Sequence, residues 1–225
     1  ALGRFGDLAE AYARADLSDG VARGLALGKL TALQKPNGRL RGIVTGSTFR
    51  RVVARALARQ YGEALDTATA PFQFALQTRA GTDALAQAIR TATELDPAAI
   101  VLSLDGIGAY DHIRRDAMLG ALAANPETAP LTPFVSLFYA RQSVYLWVDD
   151  AGVTHEVSQG EGGEQGDPLM PALYALGQHA ALQRANARLQ PGELLLAYLD
   201  DLYVVPTRSR AYAAFLEVAG AVERH

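Results

Sequence analysis

The sequence contains no cysteine, which excludes disulfides and thiolate metal sites. It has no apolar run long enough to span a membrane and no visible signal peptide. Both absences point to an intracellular protein, nuclear or cytoplasmic, with no membrane partner. It lacks an excess of either charge: the net charge of −3 gives no global attraction for nucleic acid, so any such contact must be local. Lysine is nearly missing, with only Lys29 and Lys35, and arginine carries most of the basic charge. Internal repeats, linkers and low-complexity tracts are also lacking. The four histidines, His112, His155, His179 and His225, have no metal-ligand spacing and receive no role. What is present is 225 residues, 49% of them hydrophobic, enough for one large domain or two small ones around a sizeable core. The chain begins with Ala instead of Met, as a fragment of a longer protein would.

Helices and strands alternate along the chain. Residues 1–28 read as loosely helical. Leu30–Gln34 and Arg39–Val44, flanking Lys35-Pro36-Asn37-Gly38, read as a hairpin. Ser47 is placed to cap a helix to about Leu65, with Phe49, Val52, Val53, Ala56, Leu57 and Tyr61 inward. Arg50, Arg51, Arg55 and Arg59 fall largely off that face, either as a solvated surface or as a strip for phosphates. A loop over Pro71–Thr82 leads to a helix from about Asp83 to Leu95. Ile100–Leu104 is a continuous apolar run that reads as a central strand buried on both faces, ending at Asp105. Asp111 is placed to cap a helix from Ile113 to Ala124. Thr132-Pro133 starts another helix. Val144–Val148 and Val153–Val157 flank a turn. Asp167-Pro168 opens a long helix to about Leu189, and Ser209 caps a last one.

Two further apolar runs flank adjacent acids in Leu195–Val205, LLAYLDDLYVV. Strands joined through Asp200-Asp201 put two carboxylates at a hairpin tip. Asp is a common turn residue, and an ordinary surface turn is the simplest reading. Fully apolar flanks argue against it, because charges held at the end of a hydrophobic sheet are costly without a cationic partner. Asp105 closes another apolar strand, and neighbouring strand ends lie about 5 Å apart. Three clustered carboxylates suit a hard cation such as Mg²⁺.

The motifs around these acids resemble those of reverse transcriptases. Asp105-Gly106-Ile107-Gly108-Ala109-Tyr110-Asp111 resembles motif A, D-x-x-x-A-[FY]-D. Gln165-Gly166-Asp167-Pro168-Leu169-Met170-Pro171 resembles motif B, QGDPLSP, in the form typical of non-LTR (LINE-type) retrotransposons. Tyr198-Leu199-Asp200-Asp201 resembles motif C, Y-x-D-D. Lys35-Pro36-Asn37-Gly38 through Arg41-Gly42-Ile43 resembles the K-P-N-G…R-P-I hairpin of the fingers, and Phe72–Leu85 the Q-x-G-F…S-T-x-D-A-L stretch. The likeness runs from Leu30 to Pro206 in the family's order and spacing.

The resemblance implies an α+β right-hand polymerase: fingers over residues 1–95, and a palm over 96–225 with a ferredoxin-like antiparallel sheet packed on helices. It implies no thumb within this chain. Asp105, Asp200 and Asp201 would be the metal carboxylates, with the Gly106 carbonyl beside them, for two Mg²⁺ ions or Mn²⁺. Tyr110 would be the gate against a 2′-hydroxyl. Gln165 and Gly166 would line the nucleotide pocket, and Lys35 and Arg41 would clamp the triphosphate. The expected partners are an RNA template, a DNA primer and dNTPs. Read singly, Tyr110 is a core aromatic, Lys35 and Arg41 are solvated charges, and Gly106 is a turn glycine. Gly42 replaces the R-P-I proline, Met170 replaces the motif B serine, and the approach 159–164 is long and acidic. Glu161 and Glu164 there would either repel a triphosphate or pair with arginines. The competing readings are an RNA-dependent RNA polymerase, a retroelement relic that binds nucleic acid without polymerising, and a small-molecule metalloenzyme with the same palm.

Overall fold

The structure is a computed structural model. It describes every residue except Ala1, Lys35, Asn37, Arg39, Ile107, Arg224 and His225, and the Leu2 side chain is likewise outside the description. Two helices, α1 (Leu2–Ala13) and α2 (Asp19–Ala26), occupy the segment expected to be helical. The hairpin follows as β1 (Gly28–Gln34) and β2 (Leu40–Thr45), antiparallel with Gln34 opposite Leu40. The Ser47 side chain caps the next helix by accepting from the Arg50 amide at 3.2 Å.

The single helix expected from Ser47 to Leu65 is two: α3 (Thr48–Gln60) and α4 (Gly62–Thr69). Tyr61 breaks the run at φ −100, ψ 8, and Gly62 sits where a Cβ would lie 2.6 Å from the Gln77 amide nitrogen. The buried face of α3 also differs from the one expected. Val53 and Ala54 are buried, whereas Val52 is 49% exposed and Ala56 is exposed. Arg50, expected on the outer face, is only 2% exposed. Rotating the helix slightly about its axis exchanges these positions, and the partners of Arg50 described below decide the rotation.

After α5 (Gly81–Leu95) comes β3 (Leu102–Asp105). The expectation of a central strand buried on both faces does not hold. β3 is an edge strand in a three-stranded sheet of order β3-β7-β6, and Ser103 and Asp105 are exposed. The apolar run is cut by Ser103 and Asp105 on one face, which leaves only Leu102 and Leu104 facing the core. Asp111 is not a helix cap. It lies inside the short α6 (Ala109–His112), which Gly108 starts at φ +66. The following helix, α7 (Arg115–Ala124), has Arg114 at its cap position and takes its first amide partner from Glu161.

Then come α8 (Thr132–Tyr139), β4 (Ser143–Val148) and β5 (Thr154–Gln159), the last two forming the expected hairpin. β4 also pairs in parallel with β1, giving a four-stranded sheet of order β2-β1-β4-β5. α9 (Met170–Asn186) is buried along most of its length and runs through both cores. Its first half packs with α3, α7 and α8 around Phe134 and Leu173. Its second half packs with α10 (Ala211–Val222) under β6 (Leu194–Tyr198) and β7 (Asp201–Val205), through Leu182, Ala185, Val204 and Val218. Ser209 lies in a short 3₁₀ turn, Arg208–Arg210, and bonds Thr207 in place of capping α10. No helix among the described residues is long and apolar enough to cross a membrane.

Candidate active site

β6 and β7 are joined by Leu199 and Asp200, with Tyr198 paired to Asp201 across the turn. Asp200 therefore stands at the tip, while Asp201 is the first residue of β7. Leu199 has φ +56, the left-handed region, where an L residue with a side chain costs about 1–2 kcal/mol. On the other side of β7, Asp201 is the direct register partner of Asp105. Facing residues of antiparallel strands hold their Cβ atoms about 4.5–5.5 Å apart. The sheet therefore gathers Asp105, Asp200 and Asp201 at one end.

Their charges interact. The Asp201 carboxyl is pushed above the usual carboxylate range, first by loss of hydration and then by the charges of Asp200 and Asp105. Among the described residues none of the three acids forms an ion pair. No three described His, Asp or Glu side chains are drawn together as a ready ligand group. The donors are hard oxygens in uncompensated excess, which suits a hard divalent cation in preference to a soft one.

Asp105 and Asp200 open into a cavity of about 990 Å³. Gly106 lies on the same wall. Arg41 from β2 and Arg51 and Arg55 from α3 line it as well, so acids and three arginines share one cavity. Of the four α3 arginines, only these two reach it; Arg50 is buried and Arg59 is outside. Tyr110 on α6 lines the cavity with its ring 4.9 Å from that of Tyr174. Its hydroxyl is made less acidic by burial and by the nearby charge of Asp200. Gln165 and Gly166 complete the wall, and Gly166, at φ +101 with open space around it, could not be another residue without strain. Lys35, expected at the triphosphate, lies outside the described residues.

In the acidic approach to Gln165, Glu164 lines the cavity but is paired with a buried cation, and Glu161 is bonded to a backbone amide. Arg50 donates to Glu164 at 2.9 Å and to Asp167 at 2.8 Å, and its guanidinium lies 3.6 Å over the Phe138 ring. The Tyr139 hydroxyl donates to the same Asp167 oxygen at 2.7 Å. Burial opposes the charge on Arg50, but Tyr139, Asp167 and Glu164 outweigh it and hold the guanidinium ionised. Glu161 accepts from the Arg115 amide at 2.8 Å, while the Arg115 guanidinium donates to Gly162 O and Arg141 O. Gly162 and Gly163 donate to Ile113 O and Tyr110 O, which fastens this loop to the helix that carries Tyr110. Met170 fills the space opposite Gly163, where a Cβ would lie 1.9 Å from its sulfur. With this methionine at the position where a serine was expected, residue 163 has no room for a side chain.

Sequence reasoning missed Arg50, Arg115, Tyr174 and Gln73. Arg50 and Arg115 look like ordinary helix arginines, and nothing local marks them as buried. Gln73 belongs to a recognised stretch, but its partner is 126 residues away.

The chain matches the reverse transcriptase (RNA-dependent DNA polymerase) family over residues 33–222. It is 29% identical over 191 residues to the retrotransposable element SLACS 132 kDa protein of Trypanosoma brucei gambiense, covering 84% of this chain and 16% of that protein. It therefore spans a small part of that relative's length. A telomerase from Candida albicans, solved in complex with a fragment of telomeric RNA, superposes with a TM-score of 0.68 at 12% identity, over 93% of this chain and 41% of that one. The apo telomerase of Candida tropicalis, truncated from its C-terminal domain, gives 0.64 at 12% identity, over 87% and 46%. At such identity the likeness speaks for the fold, a right-hand fingers and palm. Sequence match, fold and the acid-lined turn agree: this chain belongs to the reverse transcriptase (RNA-dependent DNA polymerase) family.

Proposed function

We propose that the chain is the fingers-and-palm part of an RNA-directed DNA polymerase of the LINE type, with fingers over 1–95 and palm over 96–225. The observation that carries this reading is one cavity lined both by Asp105 and Asp200 and by Arg41, Arg51 and Arg55. Nucleotidyl transfer to a triphosphate uses both: cationic side chains along the phosphates, and carboxylates that would hold divalent cations at the reacting phosphate.

Arg41 and the α3 arginines neutralise the triphosphate and orient it, with Lys35 assigned to the same task by resemblance. Gln165 and Gly166 support the nucleotide from the opposite wall. Tyr110, fixed against Tyr174, lies under the sugar and leaves no room for a 2′-hydroxyl. The primer 3′-hydroxyl oxygen attacks the α-phosphate, a phosphodiester forms, and pyrophosphate leaves. Two divalent cations, Mg²⁺ or Mn²⁺, held by Asp105, Asp200, Asp201 and the Gly106 carbonyl, would activate the hydroxyl and stabilise the leaving charge. The protein's contribution is positioning and fixed charge, with no covalent intermediate. Template RNA and primer would approach through the open side of the cavity.

The test is primer extension on an RNA template with dNTPs or NTPs in parallel. Extension with dNTPs and not with NTPs is expected. NTP incorporation would favour an RNA-dependent RNA polymerase, and template binding without extension would favour a relic scaffold.

A further inference from the structure

The segment around Gln73 lies against the free edge of β6. Gln73 bridges Ala197 in parallel, the Ala197 amide donates to Phe72 O at 2.8 Å, and the Phe74 amide donates to Ala197 O at 3.0 Å. This anchors the Gln73 backbone two residues before the acidic turn. Its side chain, only 6% exposed, then reaches Leu199. The Leu199 amide donates to Gln73 Oε1 at 3.0 Å, and Gln73 Nε2 donates to Leu199 O at 3.3 Å. One primary amide thus satisfies both backbone groups of one residue.

That residue is the one held at φ +56, immediately before Asp200. A leucine does not stay in this conformation by its own preference, so something outside the turn must hold it. The two bonds fix the peptide planes on both sides of Leu199. The second of those planes sets the direction in which the Asp200 side chain leaves the backbone.

We propose that Gln73 is a positioning residue that clamps the Leu199 backbone and so aims Asp200 into the cavity. The proposal rests on the polymerase reading for its catalytic consequence. It does not rest on that reading for the clamp itself.

The experiment uses the full natural protein with Gln73→Met, which keeps the size and loses both bonds, and Gln73→Glu, which keeps an acceptor for the Leu199 amide. Nucleotide addition is measured as kcat and KM for dNTP, alongside hydrogen exchange at the Leu199 amide and the melting temperature. Gln73→Met should lower kcat by about 10²-fold, as a misplacement on the ångström scale does. KM and melting temperature should stay near wild type, and Leu199 exchange should accelerate by about tenfold or more. Gln73→Glu should keep Leu199 protected and retain more activity. Unchanged kcat, a rise in KM alone, or lost activity with Leu199 exchange unaltered would each overturn the proposal. If the wild type adds no nucleotide, the polymerase reading fails, and Leu199 exchange alone decides the clamp: accelerated exchange in Gln73→Met upholds it, unchanged exchange overturns it. If Gln73→Met does not fold, loss of Leu199 protection in Gln73→Glu overturns it.

Discussion

Arg50 shares a helix with three arginines that meet solvent, yet it is closed off beneath Phe138 and Tyr139 and holds two carboxylates. Removing one member of a buried ionic group strands the others, at a cost of about 3–5 kcal/mol. Arg50→Met should therefore lower unfolding stability by that amount in urea titration, while Arg51→Met, on the exposed side, should change it little. Burial pushes the Glu164 carboxyl above its usual range, more than Arg50 pulls it down. The folded state thus binds this proton more readily than the unfolded chain. The favourable contribution is complete below the unfolded value near 4.5 and is lost as pH rises through the higher folded value. The stability of wild type relative to Glu164→Gln should fall as pH rises across that window, and pH-dependent denaturation of both proteins reads it. The acids Asp105, Asp200 and Asp201 were legible in the sequence because adjacent charges between apolar strands are costly and so conspicuous. Arg50 and Gln73 were not, because their roles come from partners more than a hundred residues away.

Elements of the fold were legible to different degrees, and the misses share a cause. The hairpins β1–β2 and β4–β5 were readable from turn residues between alternating runs. Their union into one sheet through β1 and β4 leaves no local trace. β3 was misplaced as a central strand because five consecutive residues contain only one polar side chain, Ser103. Where the sheet ends depends on what else pairs with it. The loop before Gln165 departs from its family, and of the two readings open for its acids, pairing with an arginine holds for Glu164; that the loop also fastens α6 to α7 leaves no local trace. Gly162 stands at φ +74, with a would-be Cβ 2.3 Å from Asp111 O. Gly162→Ala combines that clash with a conformation alanine avoids, and should cost more than about 1 kcal/mol. Because the loop is bonded to Tyr110 O, the same change should weaken dNTP binding, seen as a raised KM.

For the molecule as a whole the net charge is −3, and the cavity draws on only three arginines, Arg41, Arg51 and Arg55, set among its acids. Nucleic-acid or triphosphate affinity should then depend on few cations. Each phosphate contact removed, as in Arg51→Ala or Arg55→Ala, should flatten the slope of log affinity against log salt by about 0.7–0.9, measured by binding titrations at several salt concentrations. On the function proposed above, the acidic turn between β6 and β7 performs nucleotidyl transfer. Its most direct test is primer extension on an RNA template with dNTPs and Mg²⁺, comparing the natural full-length protein with its Asp200→Asn variant. Extension by the wild type and none by the variant is expected, with primer-template binding kept. Extension by Asp200→Asn at the wild-type rate would contradict it.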